Sequence, residues 1–150
     1  MKRFVWRLQR ILDLKTKKEQ KVRSELLELT EKLAETRSLL LMQQRILKNI
    51  IDSVAVEKPE SRLCKQEFFL KYSKTSDERI GKLKEKINAL ERQQKEKIAE
   101  LAKVRRFKEG LEKLRAEAKT KFIKEQEKLE QKELDEMASI SFARNMILQE

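Results

Sequence analysis

A ladder of apolar residues at alternating spacings of four and three runs through residues 22 to 54 of this chain. Val22, Leu26, Leu29, Leu33, Thr36, Leu40, Gln43, Leu47, Ile50 and Val54 are its rungs, and eight of the ten are apolar. On an α-helix that spacing gathers the rungs into one narrow seam, which is buried by a second helix with a matching seam. A chain built this way is expected to be a rod. A rod has no cleft for chemistry, so its function is expected to lie in contacts with other proteins.

Composition agrees with the seam. Charged residues make up 42% of the 150, aromatics 5%, and there are two Gly and one Pro. Long helices and coiled coils are written this way, compact globules are not. The high charge would also suit a disordered chain, but a disordered tract has no reason to keep a seam.

The first helix is predicted to begin near Arg3 or Phe4, where Phe4, Leu8, Ile11 and Leu12 form an apolar face. Lys15 and Glu19 then weaken the seam before the clean ladder begins. The only proline, Pro59, disfavours helical conformation at Lys58 and marks a reversal at about residues 57–61. A second break is conceivable at 72–78, where Thr75 and Glu78 have capping-box spacing; the competing reading is a polar turn of continuous helix. From Ile80 the seam resumes through Leu83, Ile87, Leu90, Leu101, Val104, Leu111, Ala118, Phe122 and Leu129, interrupted by Gln94, Lys97, Lys108, Arg115 and Glu125. The predicted fold is all-α: a single antiparallel two-helix coiled-coil hairpin, helix one at about 3–56 and a longer helix two at about 62–144. At 1.5 Å per residue these would be roughly 80 and 120 Å long. With the turn at Pro59, the second helix overhangs the first by about 25 residues. A turn nearer residue 75 would lay basic 1–23 beside acidic 125–150 instead.

The net charge is +11 and unevenly spread. Residues 1–23 carry nine Lys/Arg against two acids, residues 80–124 fifteen against seven, and residues 125–150 three against seven. An excess of this size suits an anionic partner. Nucleic acid is the obvious class, and Lys103–Lys124 would supply the cations. Stacking aromatics are few, however, and acids interleave with the bases throughout, so a charged coiled-coil surface reads better. Catalysis finds no support. The chain has no His, its two Gly are isolated, and its paired acids Glu130/Glu133 and Asp135/Glu136 lie on a helix with nothing to exclude water. No cofactor or metal is expected. A lone Cys64 makes no internal disulfide and fits a reducing compartment; it reads as a small buried or half-buried residue near the turn. No apolar run approaches the ~18 residues of a membrane span, and the opening residues lack the apolar core of a signal peptide. A cytoplasmic location is expected.

The two ends carry the sharpest pattern. Phe4-Val5-Trp6-Arg7-Leu8-Gln9-Arg10-Ile11-Leu12-Asp13-Leu14-Lys15 runs into Lys17-Lys18-Glu19, and near the other end stands Glu130-Gln131-Lys132-Glu133-Leu134-Asp135-Glu136. Together these resemble the opening and the C-terminal signature of the FliJ family of flagellar export proteins. The resemblance implies a soluble component of the flagellar type III export apparatus, peripheral to the membrane. Its coiled-coil ends would enter the hexameric export ATPase ring, its hairpin region would meet the cytoplasmic domain of the export gate, and it would bind export chaperones. By this resemblance the ATPase contacts fall on Arg7, Arg10, Lys17, Lys18, Lys132, Asp135 and Glu136. The gate contacts fall on Leu40, Gln44, Leu47, Ile51 and Tyr72. The family typically has aromatics at some positions where this chain has Leu47 and Ile51. Alternatives are the coiled-coil stalk of a virulence-type injection system, or a basic coiled-coil adaptor or nucleic-acid-binding rod.

Overall fold

The computed structural model describes residues 2–149, and among them there are two helices and no strand. Helix α1 spans Gln9–Val56 and helix α2 spans Pro59–Gln149. They pack against each other in antiparallel fashion, and α2 is the longer, as the sequence predicts.

Glu57 and Lys58 alone separate the helices. Pro59 is the first residue of α2, a position where its missing N–H and fixed φ cost nothing. The Lys58 carbonyl accepts from the backbone N–H groups of Ser61 (3.2 Å) and Arg62 (3.1 Å). The Arg62 guanidinium donates to the Ala55 carbonyl at 3.2 Å, satisfying one of the orphaned acceptors at the end of α1. Lys65 pairs with Glu57 across the turn. No described residue has a positive φ.

Three sequence expectations need correction. First, α1 begins at Gln9 rather than near Arg3 or Phe4. Residues 2–6 are not helical, because the Phe4 ring leaves the helical path to pack on Phe122, with centroids 5.4 Å apart, while the Arg115 guanidinium lies over its face at 5.7 Å. Second, α2 runs from Pro59 to Gln149 rather than from about 62 to about 144, and of the two readings of 72–78 it takes the continuous helix. Thr75 does not cap a new helix; its hydroxyl donates to the Lys71 carbonyl one turn back. Third, Cys64 is exposed. Residues 58–68 are all exposed, and the buried face of α2 first shows at Phe69 and Tyr72.

Two compact units divide the chain. In the unit Glu19–Lys103, Leu33, Ile87 and Leu90 form the core, with Leu29 and Leu40 packed on it, and Val22 and Leu101 are buried as well. Thr36 occupies a buried rung and satisfies its hydroxyl on the Lys32 carbonyl at 2.7 Å. Polar residues that interrupt the α2 ladder find partners across it: Gln94 donates to the Thr30 hydroxyl (3.3 Å), and Lys97 donates to Glu25 (2.5 Å). Arg37 pairs with Glu91 at 3.0 Å on the outside. Exposed pairs of this kind add at most about 1 kcal/mol, so their larger role is to select one alignment among several that an apolar seam would accept.

The hydrogen bond from Lys97 holds the Glu25 carboxyl below its ordinary value of 4.5, and the same bond holds the Lys97 ammonium above 10.5. A depressed acid stabilises the fold above its unfolded pKa and loses that contribution as pH falls through the folded one. A raised base does the reverse at the alkaline end. The pair therefore supports the fold across neutral pH and fails at both extremes. In an acid melting series, Tm of Glu25→Gln is expected to fall less steeply below pH 4.5 than Tm of the wild type. Equal slopes would refute a role for the pair.

The second unit joins the residues up to Lys18 with those from Val104 onward. Leu12, Val104 and Leu111 are buried in it. Arg115 donates to the Gln9 side chain at 2.8 Å, and the Lys15 ammonium lies 4.7 Å from the centre of the Phe107 ring. The seam closes at Phe4 and Phe122. After Gln126 every described residue of α2 is exposed, so Leu129, expected on the seam, is 52% exposed for want of a facing helix. Removing the ring that ties down the first residues, by Phe4→Ala, is expected to speed tryptic cleavage after Arg3 and Arg7 several-fold with little change in helicity by circular dichroism. An unchanged cleavage rate would show that the ring contact holds nothing in place.

Candidate functional site

Both groups of residues that the end motifs single out lie in the unit containing the chain ends, and all seven are exposed. Arg7 precedes α1, and Arg10, Lys17 and Lys18 lie on it. None belongs to the buried face, which takes Leu8, Leu12 and Lys15 instead. Lys132, Asp135 and Glu136 lie on the unpaired part of α2. They are ten to fourteen residues past Phe122, which is about 15–21 Å along a helix axis. The structure therefore puts the two groups in one unit without bringing them into contact. Asp135 accepts a hydrogen bond from Gln131 one turn earlier at 3.1 Å, an ordinary link on a solvated helix.

Charge is concentrated here. Residues 2–18 and 104–124 together carry fifteen Lys/Arg against four Asp/Glu, a net +11 that equals the net charge of the whole chain. Residues 125–136 then carry six acids against two Lys. A basic collar around paired helices thus gives way, along the same helix, to an acidic single one. Sequence reading finds the two charge blocks. It does not find that residues 2–18 and 104–124 make one collar, because that depends on how the helices are aligned.

The five residues proposed for the hairpin region lie in the unit Glu19–Lys103. Gln44 and Ile51 face solvent, with Ile51 48% exposed. Leu40, Leu47 and Tyr72 are half-buried, and Leu40 packs on the Leu33 core. Tyr72 stacks on Phe68 one turn away, with centroids 6.1 Å apart and rings 16° from parallel. Phe68, Leu63 and Leu70 are each more than 60% exposed. This apolar surface on the first turns of α2 was not singled out from the sequence, where nothing showed that the buried face begins only near Phe69.

Among the described residues no group of three His, Cys, Asp or Glu is placed to hold a metal ion, and no helix is long and apolar enough to cross a membrane. A family model described as "Flagellar FliJ protein" matches residues 3–146. No curated protein and no solved structure matches the chain.

Proposed function

The chain belongs to the FliJ family, whose members are components of flagellar type III export, and on that premise we propose that it is a non-catalytic stalk of the export machinery. In this reading the ends of the coiled coil enter the centre of the hexameric export ATPase ring. Arg7, Arg10, Lys17 and Lys18 meet the ring from the paired helices, and Lys132, Asp135 and Glu136 meet it from the single one. The observation that carries the reading is the free end of α2: after Gln126 it stands exposed, with no facing helix among the described residues. A bare acidic helix leaving a basic collar is suited to a partner that surrounds it.

Leu40, Gln44, Leu47, Ile51 and Tyr72 contact the cytoplasmic domain of the export gate in this reading, so that one molecule bridges ring and gate. Gln44 and Ile51 are available as they stand, whereas the half-buried three offer only edges. Export chaperones complete the set of partners, and the site of action is the cytoplasmic side of the export apparatus.

The test is to titrate the protein into the purified export ATPase of the same organism at physiological salt, following ATP turnover and hexamer formation together. Stimulation saturating near one chain per ring is expected. Neither binding nor stimulation by a chain of confirmed helicity would overturn the stalk role and leave the adaptor reading.

A further inference from the structure

We propose that the hairpin opens along its seam between the Arg37–Glu91 pair and the turn, and that the inner face exposed by this opening is the surface the export gate takes. The inference rests on the gate contact of the stalk reading and changes what that contact requires.

The seam is not equally strong along the unit Glu19–Lys103. Val22, Leu33, Ile87, Leu90 and Leu101 are buried apolar rungs. Toward the turn such rungs stop. Among residues 37–86 the one buried residue is polar: Ser76, 2% exposed. Thr36, the other buried polar rung of this unit, satisfies its hydroxyl on the Lys32 carbonyl. The Ser76 hydroxyl has no hydrogen-bond partner, and neither has the buried side-chain oxygen of Gln43, a rung of the α1 ladder. A polar atom that has lost water without gaining a partner favours the state that rehydrates it. The apolar rungs that remain here, among them Leu47, Ile50, Phe69, Ile80 and Leu83, are half-buried.

No polar pair reinforces them. Among the described residues, Arg37–Glu91 is the last hydrogen bond or ion pair between the two arms before the turn itself, which Arg62 ties to the Ala55 carbonyl and Lys65 to Glu57. Segments with few buried apolar contacts open at a fraction of the cost of global unfolding. The tip therefore parts while the core of Leu33, Ile87 and Leu90 stays closed.

Opening also answers a difficulty of the gate site. Leu47 and Tyr72 are half-buried in the closed hairpin, so a partner reading its outside reaches only their edges. Leu47 lies one turn after Gln43 and Tyr72 one turn before Ser76, so both belong to the faces that part. Leu40, packed on the Leu33 core, stands at the edge of the opening. The face released fits an apolar segment of the gate's cytoplasmic domain.

Thiol labelling combined with gate binding decides the matter. Cys64 is exposed, so Cys64→Ser gives a silent background. In it, Ser76→Cys is expected to react with a thiol reagent about tenfold faster or more than Thr36→Cys. The two sites are 2% and 3% exposed, so the difference reads opening. Gln43→Leu puts an apolar rung in place of the unpartnered amide and closes the tip. It should slow labelling at position 76 several-fold and raise the dissociation constant for the purified cytoplasmic domain of the gate by the same factor, because both follow the open fraction. Equal labelling at 76 and 36 would overturn the opening. Slower labelling with unchanged or tighter gate binding would show that the gate takes the closed hairpin, overturning the inference while leaving the gate contact standing. A wild type that does not bind the gate domain would remove the contact itself and the inference with it, a result told apart from the others because the labelling needs no gate.

Discussion

Leu33→Asp is expected to cost the coiled coil about 3–5 kcal/mol, enough to lower its urea midpoint severely or to unfold it outright at 37 °C. Leu33 is 2% exposed and lies against Ile87 and Leu90, with Leu29 on its flank. The substitution removes the apolar contact and puts a carboxylate among side chains that offer it no donor. That cost is a large part of the 5–15 kcal/mol typical of a folded domain. Leu27→Asp is the control: Leu27 is 61% exposed, and its loss should stay within about 1 kcal/mol. Urea melts followed by circular dichroism at the helix band make the comparison. Equal losses in the two variants would mean that the seam does not hold the helices together.

The second large effect concerns the proposed ATPase contact. Asp135→Lys combined with Glu136→Lys is expected to abolish stimulation of the export ATPase while leaving the melting curve within about 1 kcal/mol of wild type. Both residues are exposed on the unpaired stretch of α2, and only the Gln131–Asp135 hydrogen bond is lost within the chain. Losing function without losing fold is the signature of a contact surface. Full stimulation by the double variant would remove Asp135 and Glu136 from the site, and the collar residues would then have to carry the contact.

The seam was legible in the sequence because alternation of four and three leaves one solution on a helix, and the residues it names, Leu129 apart, are buried or half-buried in the structure. Pro59 was legible because a ring that fixes φ and removes an N–H can open a helix but not continue one. Alignment of the two helices was not legible. Sliding one helix by seven residues still brings seam to seam, so pairs such as Glu25 with Lys97 and Thr30 with Gln94 help to fix the choice. Read along a single strand of sequence, Gln94, Lys97 and Arg115 are interruptions; only the facing helix shows them to be rungs with partners. The start of α1 misled for a related reason. Phe4 has the correct spacing for a helical face, yet an aromatic ring on Phe122, with Arg115 over it, draws the backbone off the helical path before Gln9. For the proposed sites, the charged residues were legible as solvated positions. Their grouping into collar and free helix was not, since it depends on the same alignment.

The uncovered length of α2 has a thermal consequence. Residues 127–149 form a helical stretch of 23 residues with no facing helix among the described residues, and a helix draws most of its stability from tertiary packing, which this stretch lacks. On warming, this stretch unwinds before the paired helices do, in a gradual loss of signal that precedes the cooperative melt. A partner that captures it must therefore also order it, and the captured fraction of the binding heat grows with temperature. Calorimetry of any complex formed through this segment should show a large negative heat-capacity change, combining buried apolar surface with the helix restored. The same complex should tighten on cooling, as the helix approaches the docked shape before the partner arrives.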